Sequence, residues 1–195
     1  MPAIMNTPQR LVIGISGASG AIYGVRLLET LKSLPVESHL VMSPAAERTL
    51  ALETDFTPDQ VRALADVSYD HDDIAAAPSS GSFRTMGMII APCSMNSVGE
   101  IACGVTSTLV TRAATVVLKE RRRLVLLARE TPLHTVHLRN MLTLSEMGAI
   151  IAPPAPAFYA KPDSIDAMVD HTVGRVLDLF DLDSGKVHRW KGAPT

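Results

Sequence analysis

Short apolar runs alternate with longer amphipathic stretches along this chain, and no other sequence feature constrains its fold so strongly. The strand-like runs lie at 11–15, 38–42, 86–91, 124–128 and 149–152. Strands that alternate with helices form right-handed βαβ units, and strands that are apolar throughout are covered on both faces. The sequence therefore predicts a three-layer, doubly wound α/β fold with a mostly parallel sheet, of the Rossmann or flavodoxin-like type.

Helical periodicity fills most of the intervals between these runs. The predicted helices cover about 22–31, 44–53, 96–103, 107–121, 133–147 and 162–182. Pro92 is expected to stop the third strand, and 58–85 is expected to be irregular. Because no linker or repeat is evident, we expect residues 1–195 to form one domain. The polar tail, about 183–195, is expected to reach the site or a subunit interface.

Composition excludes several classes of protein. The chain has 195 residues, 47% of them hydrophobic, and a net charge of −2, whereas a protein that coats nucleic acid needs clustered excess basic charge. No apolar run approaches the roughly 18 residues of a membrane span. Residues 1–10 lack the apolar segment of a signal peptide, and two cysteines cannot form a disulfide framework. We therefore expect a cytoplasmic location.

A glycine-rich loop follows the first predicted strand, where doubly wound folds bind ligands. Its pattern from Gly14 to Gly20 is G-x-x-G-x-x-G, which differs from the dinucleotide fingerprint G-x-G-x-x-G. Ser43 stands after the second strand, where a dinucleotide enzyme often carries an acidic residue. The loop therefore favours a mononucleotide such as FMN over NAD, while a tight turn without a ligand remains the structural alternative.

Polar residues also follow the third and fourth strands. Ser94, Asn96 and Ser97 lie at a helix start, where they either cap the helix or hold the polar edge of a ligand. Cys93, in an apolar setting, is expected to be buried. Arg129 and Glu130 follow the fourth strand, and they form either a salt bridge or part of an anion site.

Several basic residues have positions that differ from those of ordinary solvent-exposed charges. Arg112 and Lys119 share one face of a predicted helix, and with Arg129 they would form a dianion site if the three converge. Arg175 lies within an apolar helical pattern, so we expect it to face the core and to need a partner. The run 121–123 is expected to be solvated at a helix end.

Metal binding is weakly supported. His134 and His137 have helical metal-ligand spacing but no evident third ligand. Asp70, Asp72 and Asp73 are interpreted as a solvated acidic loop rather than as a Mg²⁺ site.

Taken together, eight segments resemble one family. They are GISGASGAIYG at 14–24, LVMSPAAERTLALETD at 40–55, SSGSF at 79–83, APCSMNS at 91–97, TRAATVVLKERR at 111–122, LARETPLHTVHLRNM at 127–141, PPAPAFY at 153–159 and RW at 189–190. In this order and spacing they resemble the UbiX/Pad-type flavin prenyltransferases over nearly the whole chain.

The resemblance implies a metal-independent transferase. Such enzymes join the dimethylallyl group of dimethylallyl monophosphate to N5 and C6 of reduced FMN. The prenylated flavin serves a UbiD-type decarboxylase, and a flavin reductase supplies the reduced FMN. Members of the family form dodecamers, which implies a homo-oligomer here.

The resemblance also assigns roles by matching position. FMN would be bound by Gly17, Ala18, Ser19, Ser43, Ser94, Met95, Asn96, Ser97 and Arg129. Dimethylallyl monophosphate would be bound by Arg112, Lys119, Arg129, Glu130, Tyr159, Arg175 and Trp190. Ser19, Glu53, Lys119 and Glu130 would be catalytic: Glu130 would protonate the leaving phosphate, and Ser19 with Glu53 would manage the proton at C6. Tyr159 and Trp190 would offer π faces to the allylic cation.

Two departures and two alternatives accompany this interpretation. Close relatives often have Lys-Thr where Asn96 and Ser97 stand, and some have an aromatic residue near Ile74. The stretch at 92–97 also resembles that of FMN-dependent cysteine decarboxylases, but their histidine after the first helix has no counterpart, since His39 lies inside a strand. The other alternative is a non-catalytic flavin carrier, a subunit of a decarboxylase.

Overall fold

The computed structural model describes residues 9–192, which form a six-stranded sheet between two layers of helices. The strands are β1 Arg10–Ile15, β2 Glu37–Met42, β3 Val67–Tyr69, β4 Gly87–Cys93, β5 Arg123–Ala128 and β6 Ile150–Ile151. The α-helices are α1 Ala21–Leu31, α2 Pro44–Glu53, α3 Pro58–Arg62, α4 Met95–Ala102, α5 Leu109–Lys119, α6 Thr135–Glu146 and α7 Ile165–Asp178. Short 3₁₀ turns occur at Ala77–Ser79 and Phe158–Ala160.

The sheet has the order β3-β2-β1-β4-β5-β6, and every neighbouring pair of strands is parallel. Ile13 in the central strand lies opposite Leu40 in β2 and Ile89 in β4. This is the classic doubly wound order, in which the chain reverses its direction of travel between β1 and β4. The predicted fold class is confirmed, and the sheet is entirely rather than mostly parallel.

Two apolar clusters hold the layers together, one on each face of the sheet. Leu28 of α1 and Leu177 of α7 pack with Ile13 on one face. Val98 of α4 and Val117 of α5 pack on the other face. Each fully buried aliphatic side chain contributes about 1.5–3 kcal/mol, so this double-sided burial is the main source of stability.

The segment expected to be irregular contains α3 and β3. The strand β3 has three residues, pairs only with β2 and occupies the edge of the sheet. A strand this short shows too little alternation to be recognised, because periodicity needs several residues to emerge. The helix α3 is closed by a capping box between Thr57 and Gln60.

The expected end of the third run at Pro92 is wrong, because β4 continues through it to Cys93. The β4–β5 register shifts between Ile90 and Cys93, so the missing N–H of Pro92 falls at an irregularity in the ladder. The last helix is also shorter than predicted, since α7 ends at Asp178 and Asp181 has a left-handed backbone with φ 59°. Within residues 9–192, no helix is both long and apolar enough to cross a membrane.

Candidate active site

A cleft of about 410 Å³ opens where β1, β2 and β4 end, at the point where the strand order reverses. Five of the residues predicted to bind FMN line it: Gly17, Ser43, Ser94, Asn96 and Ser97. The volume lies within the usual range of small-molecule sites, and the position is where doubly wound folds bind ligands.

Ser16 joins the two loops that form the floor of this cleft. Its hydroxyl donates a hydrogen bond to the carbonyl of Pro92 at 3.0 Å and accepts one from the N–H of Ser94 at 2.7 Å. Its own N–H also donates to the Pro92 carbonyl at 3.2 Å. The loop after β1 and the loop after β4 therefore have a fixed relative position.

Two helices begin at the cleft with serine caps. The Ser43 hydroxyl accepts the N–H of Ala46 at 3.1 Å, and the Ser94 hydroxyl accepts the N–H of Ser97 at 3.3 Å. The capping role considered for Ser94 is confirmed. The caps leave other N–H groups of the first turns free, and the positive ends of both helix dipoles point toward the cleft, which favours an anionic ligand. The remaining polar groups there include Asn96, whose amide donates to Glu100 at 3.0 Å.

Glu53 ends α2 and lies against the start of α1. One of its carboxylate oxygens accepts the N–H groups of Gly20 at 2.8 Å and Ala21 at 3.1 Å. Burial acts to raise the pKa of Glu53, but hydrogen bonds from Ser19, Gly20 and Ala21, together with the charge of Arg129, outweigh it and lower the pKa. Glu53 is therefore ionised at neutral pH and acts as a proton acceptor rather than a donor.

Arg129 and Glu130 follow β5 at the same edge of the sheet. The Arg129 N–H donates to the Cys93 carbonyl at 3.0 Å, which ties this loop to the end of β4. Glu130 is exposed, and its carboxylate accepts the N–H of Thr131 at 3.0 Å. The salt bridge considered as one alternative for this pair is absent among the ion pairs of residues 9–192, so both side chains are available to a ligand.

The positive charge of Arg129 also influences the pKa of Tyr23. Burial raises the pKa of Tyr23, while a hydrogen bond with Thr172 and the positive charge of Arg129 act in the opposite direction. Thr172 lines a second recess of about 320 Å³ beside the end of β6. The charge of Arg129 therefore influences the pKa of both Glu53 and Tyr23.

Two of the residues predicted to bind the prenyl phosphate, Tyr159 and Arg175, line the second recess. The Tyr159 hydroxyl lies 3.4 Å from Nε2 of His171. The expectation that Arg175 faces the core is wrong: 53% of its side chain is exposed, and it donates to Asp178 at 2.5 Å. Arg175 is flanked on α7 by the buried residues Gly174 and Val176, and it is a lining residue of the recess although its own side chain is half-exposed.

Trp190 lies at the edge of this recess. Its ring meets Tyr159 edge to face, with centroids 5.8 Å apart, and 64% of the residue is exposed. The tail therefore reaches the candidate site, while its final residues, 193–195, lie outside the described part of the chain. An exposed indole at a site entrance has area available for a ligand or a neighbouring subunit.

Arg112 and Lys119 lie on α5, on the opposite face of the sheet from α7. Arg112 donates to the Ser79 carbonyl at 3.2 Å, and Lys119 pairs with Glu120 at 2.5 Å. Lys119 is the last residue of α5 and precedes β5, so it lies at the amino ends of the strands, away from the cleft. The dianion site considered for Arg112, Lys119 and Arg129 is therefore not completed by Lys119 of the same described chain.

The basic run after α5 also differs from expectation. Arg122 is not solvated, because it donates to the carbonyls of Gly81 and Phe83 at 2.7 Å each. It fixes the loop before β4 against α5. Three further predicted flavin contacts are close to the cleft in sequence: Ala18 and Met95 adjoin lining residues, and Ser19 is two residues from Gly17.

Sequence reasoning missed His71, which lines the main cleft. Its Nδ1 is buried and has no hydrogen-bond partner in the described structure. Thr108 and Arg48 also line the cleft. The only sequence signal for His71 was its place in the acidic loop 70–73, where it was not distinguished from its neighbours.

Other candidate groups are structural. Burial raises the pKa of Cys93 to about 12, so its thiol is not a nucleophile at neutral pH. Burial also lowers the pKa of His39, and its Nδ1 lies 2.9 Å from the Tyr69 hydroxyl, as expected for a structural histidine. Among residues 9–192, no group of three or more His, Cys, Asp or Glu side chains is arranged to hold a metal ion.

Comparison with known proteins defines the class first. A family model described as Flavoprotein matches residues 3–177. Flavin prenyltransferase UbiX of Escherichia coli is 57% identical over 188 residues, which cover 95% of this chain and 100% of the relative. The chain therefore belongs to the UbiX flavin prenyltransferases, and the family resemblance of the sequence is confirmed.

Solved structures agree with this assignment. AnUbiX in complex with FMN and dimethylallyl pyrophosphate has a TM-score of 0.95 and 53% identity, with 96% of this chain and 100% of that chain covered. A dodecameric FMN-dependent UbiX-like decarboxylase from Escherichia coli has a TM-score of 0.93 and 52% identity, with 94% and 100% covered.

Proposed function

We propose that this enzyme joins the dimethylallyl group of dimethylallyl monophosphate to N5 and C6 of reduced FMN, so that FMN is a substrate rather than a resident cofactor. The observation that carries the proposal is a pair of recesses with different linings: the cleft at the strand ends is lined by Gly17, Ser43 and Ser94, and the second recess is lined by Tyr159 and Arg175. A reaction between two bound ligands requires a place for each of them.

The main cleft fits a flavin mononucleotide. Its floor is a small-residue loop that lets a ligand approach the backbone, and the N-termini of α2 and α4 attract a phosphate. Ser43 leaves no carboxylate after β2 for the ribose of a dinucleotide. His71, which also lines this cleft, is a further polar residue beside the bound flavin. FMN binding is assigned to Gly17, Ala18, Ser19, Ser43, Ser94, Met95, Asn96, Ser97 and Arg129.

The second recess fits the prenyl substrate. Departure of the phosphate leaves an allylic cation beside a strongly anionic group. Arg129 and Arg175 stabilise the anion, and the ring faces of Tyr159 and Trp190 stabilise the cation. A proton from Glu130 lets the phosphate leave as hydrogen phosphate while the first carbon–nitrogen bond forms at N5. The departing hydrogen phosphate takes the proton that N5 loses and passes it to the prenyl double bond, which leaves a tertiary cation for C6 to attack. Glu53, through Ser19, accepts the proton that C6 loses as the ring closes.

Arg112 and Lys119 complete the phosphate site from a neighbouring copy. Within one chain they lie on the face of the sheet opposite α7, so their assigned role requires a homo-oligomer. A dodecamer provides such neighbours. In such an oligomer, the half-exposed side chain of Lys119 binds the prenyl phosphate of a neighbouring copy in addition to pairing with Glu120.

The product leaves the enzyme as a cofactor for another protein. By its resemblance to the flavin prenyltransferases, the enzyme passes its product to a UbiD-type decarboxylase, and a flavin reductase supplies the reduced acceptor. The enzyme therefore acts after the reduction of FMN and before the decarboxylation that uses the prenylated flavin.

The test is anaerobic incubation of the enzyme with FMN, dithionite and dimethylallyl monophosphate, followed by mass analysis of the released flavin. The proposal predicts a mass gain of one C₅H₈ unit. Unmodified FMN after prolonged incubation with properly folded enzyme would contradict it and would favour a flavin carrier or a cysteine decarboxylase.

Turnover should survive EDTA, because arginine and lysine side chains provide the countercharge that Mg²⁺ provides in other prenyl transferases. The measurement is the initial rate of prenyl-FMN formation with and without EDTA, with expected rates equal within error. A loss of rate that Mg²⁺ restores would contradict this prediction. It would direct attention to the carboxylates of Asp70, Asp72 and Asp73.

A further inference from the structure

The segment that carries Trp190 is held along α7 by a series of contacts. We call residues 183–192 the strap. Lys186 pairs with Asp170 of α7 at 3.2 Å, and Arg189 pairs with Asp178 at the end of the helix. The strap thus follows the helix before it reaches the second recess.

Asp178 is the point where the strap and the recess meet. Both of its oxygens accept from the guanidinium of Arg189 at 3.0 Å, in a bidentate pair. One of them also accepts from Arg175 at 2.5 Å. Its side chain is only 14% exposed, so this carboxylate binds two cations from different segments in a partly desolvated position.

The charge state of Asp178 fits this role. The hydrogen bond from Arg189 is the largest influence and, with that from Arg175, lowers the pKa of Asp178 despite its burial. The carboxylate of Asp178 is therefore ionised in the folded enzyme at neutral pH. Its hydrogen bonds with Arg189 and with Arg175 are both between charged groups.

A glycine lets the strap approach the helix. A Cβ atom added to Gly174 would lie 2.6 Å from Cγ2 of Val187 and 2.8 Å from the Ser184 hydroxyl. Gly174 lies one turn before Asp178 on α7, so the strap contacts the helix closely just before Arg189 reaches the carboxylate. This close approach fixes the path of the backbone that leads to Trp190.

Of the two cations bound by Asp178, Arg175 lines the second recess. Arg189 does not line it but directly precedes Trp190, whose ring contacts Tyr159 of that recess. The carboxylate leaves part of the Arg175 guanidinium free, because it engages only one terminal nitrogen. A single side chain thereby sets the direction of a phosphate-facing cation and the location of an aromatic wall.

We propose that Asp178 is a positioning residue for prenyl transfer, which orients Arg175 toward the prenyl phosphate and holds the strap so that Trp190 lies against Tyr159. The proposal rests on the proposed function for its kinetic consequence. Its structural consequence, the location of Trp190, does not depend on that function.

The first test uses the fluorescence of Trp190, the single tryptophan of the chain. In the flavin-free enzyme, Asp178→Asn should raise the acrylamide quenching constant of Trp190 by at most about half, because 64% of the residue is already exposed, and should shift its emission to longer wavelength. The matched control is Asp183→Asn, which removes a carboxylate 3.4 Å from Arg189 that is itself 71% exposed. We expect the control to match the wild type, because such exposed pairs contribute little.

The second test separates positioning from general damage. Asp178→Asn should raise KM for dimethylallyl monophosphate about tenfold and leave FMN affinity unchanged. Should Asp178→Asn not fold, Arg189→Gln, whose side chain is half-exposed, removes the same strap contact and should show the same quenching with a smaller rise in KM, because Arg175 keeps its partner.

Wild-type quenching and wild-type KM in the folded variants would overturn the proposal, as would equal losses in FMN and prenyl-phosphate affinity. Failure of the proposed function is recognised separately, since the wild-type enzyme would then make no prenylated flavin while the fluorescence result still stands.

Discussion

Glu130→Gln should slow formation of the first bond, at N5, by about 10²–10⁴-fold, the usual contribution of a general acid. The carboxyl group stands beside Arg129 at the end of β5, exposed and without an ion-pair partner in the described structure. Gln retains the size and the hydrogen-bonding capacity but has no proton to give to the departing phosphate. Single-turnover mixing with reduced FMN, with mass analysis of quenched samples, measures this step directly.

The matched control for this prediction is Glu146→Gln, which neutralises another exposed carboxylate. Glu146 is the last residue of α6 and is not among the predicted site residues. It should leave the rate unchanged. The assignment would be wrong if Glu130→Gln formed the first bond at the normal rate and accumulated a flavin joined only at N5.

Glu53→Gln should produce the opposite pattern. The first bond should form at nearly the normal rate, and ring closure at C6 should slow by about 10²–10⁴-fold, because the proton acceptor is lost. The lowered pKa of Glu53 keeps it ionised and ready to accept that proton. Quenched samples should therefore accumulate the flavin joined only at N5, detected by its spectrum and by its mass.

Glu53 also has a structural role, which the Gln variant largely preserves. The amide oxygen can still accept the N–H groups of Gly20 and Ala21 at the start of α1. The urea midpoint of Glu53→Gln should stay close to that of the wild type, with a loss of about 1 kcal/mol at most. A variant that is well folded yet forms no bond to the flavin at all would contradict the division of roles.

The order of the secondary structure could be predicted because it depends on local pattern. The runs at 11–15 and 124–128 are buried strands, and Pro44 begins α2 as its sequence position indicated. The edge strand Val67–Tyr69 was missed because it owes its existence to pairing with β2. Pro92 was misjudged for a related reason: whether a strand tolerates proline depends on its neighbour's register.

Residues that the backbone topology places in the site could be predicted from the sequence. The partners of the charged side chains were harder to predict. Residues after strand ends, such as Gly17 and Ser94, lie in the cleft because topology places them there. The partners of Arg175 and Arg122 depend on which segments pack against their helices, which helical periodicity does not reveal. Lys119 shows the same limit, since a shared helical face says nothing about distance from a ligand.

The hydrogen bonds of the Ser16 hydroxyl reduce the entropy that is lost when a ligand binds in the cleft. Fixing one residue's backbone costs about 1–2 kcal/mol of conformational entropy. Because Ser16 connects the Pro92 carbonyl and the Ser94 N–H within the folded chain, that entropy is lost during folding in both loops at once. A ligand that touches both loops therefore meets a preorganised surface, and its affinity is not diminished by ordering them.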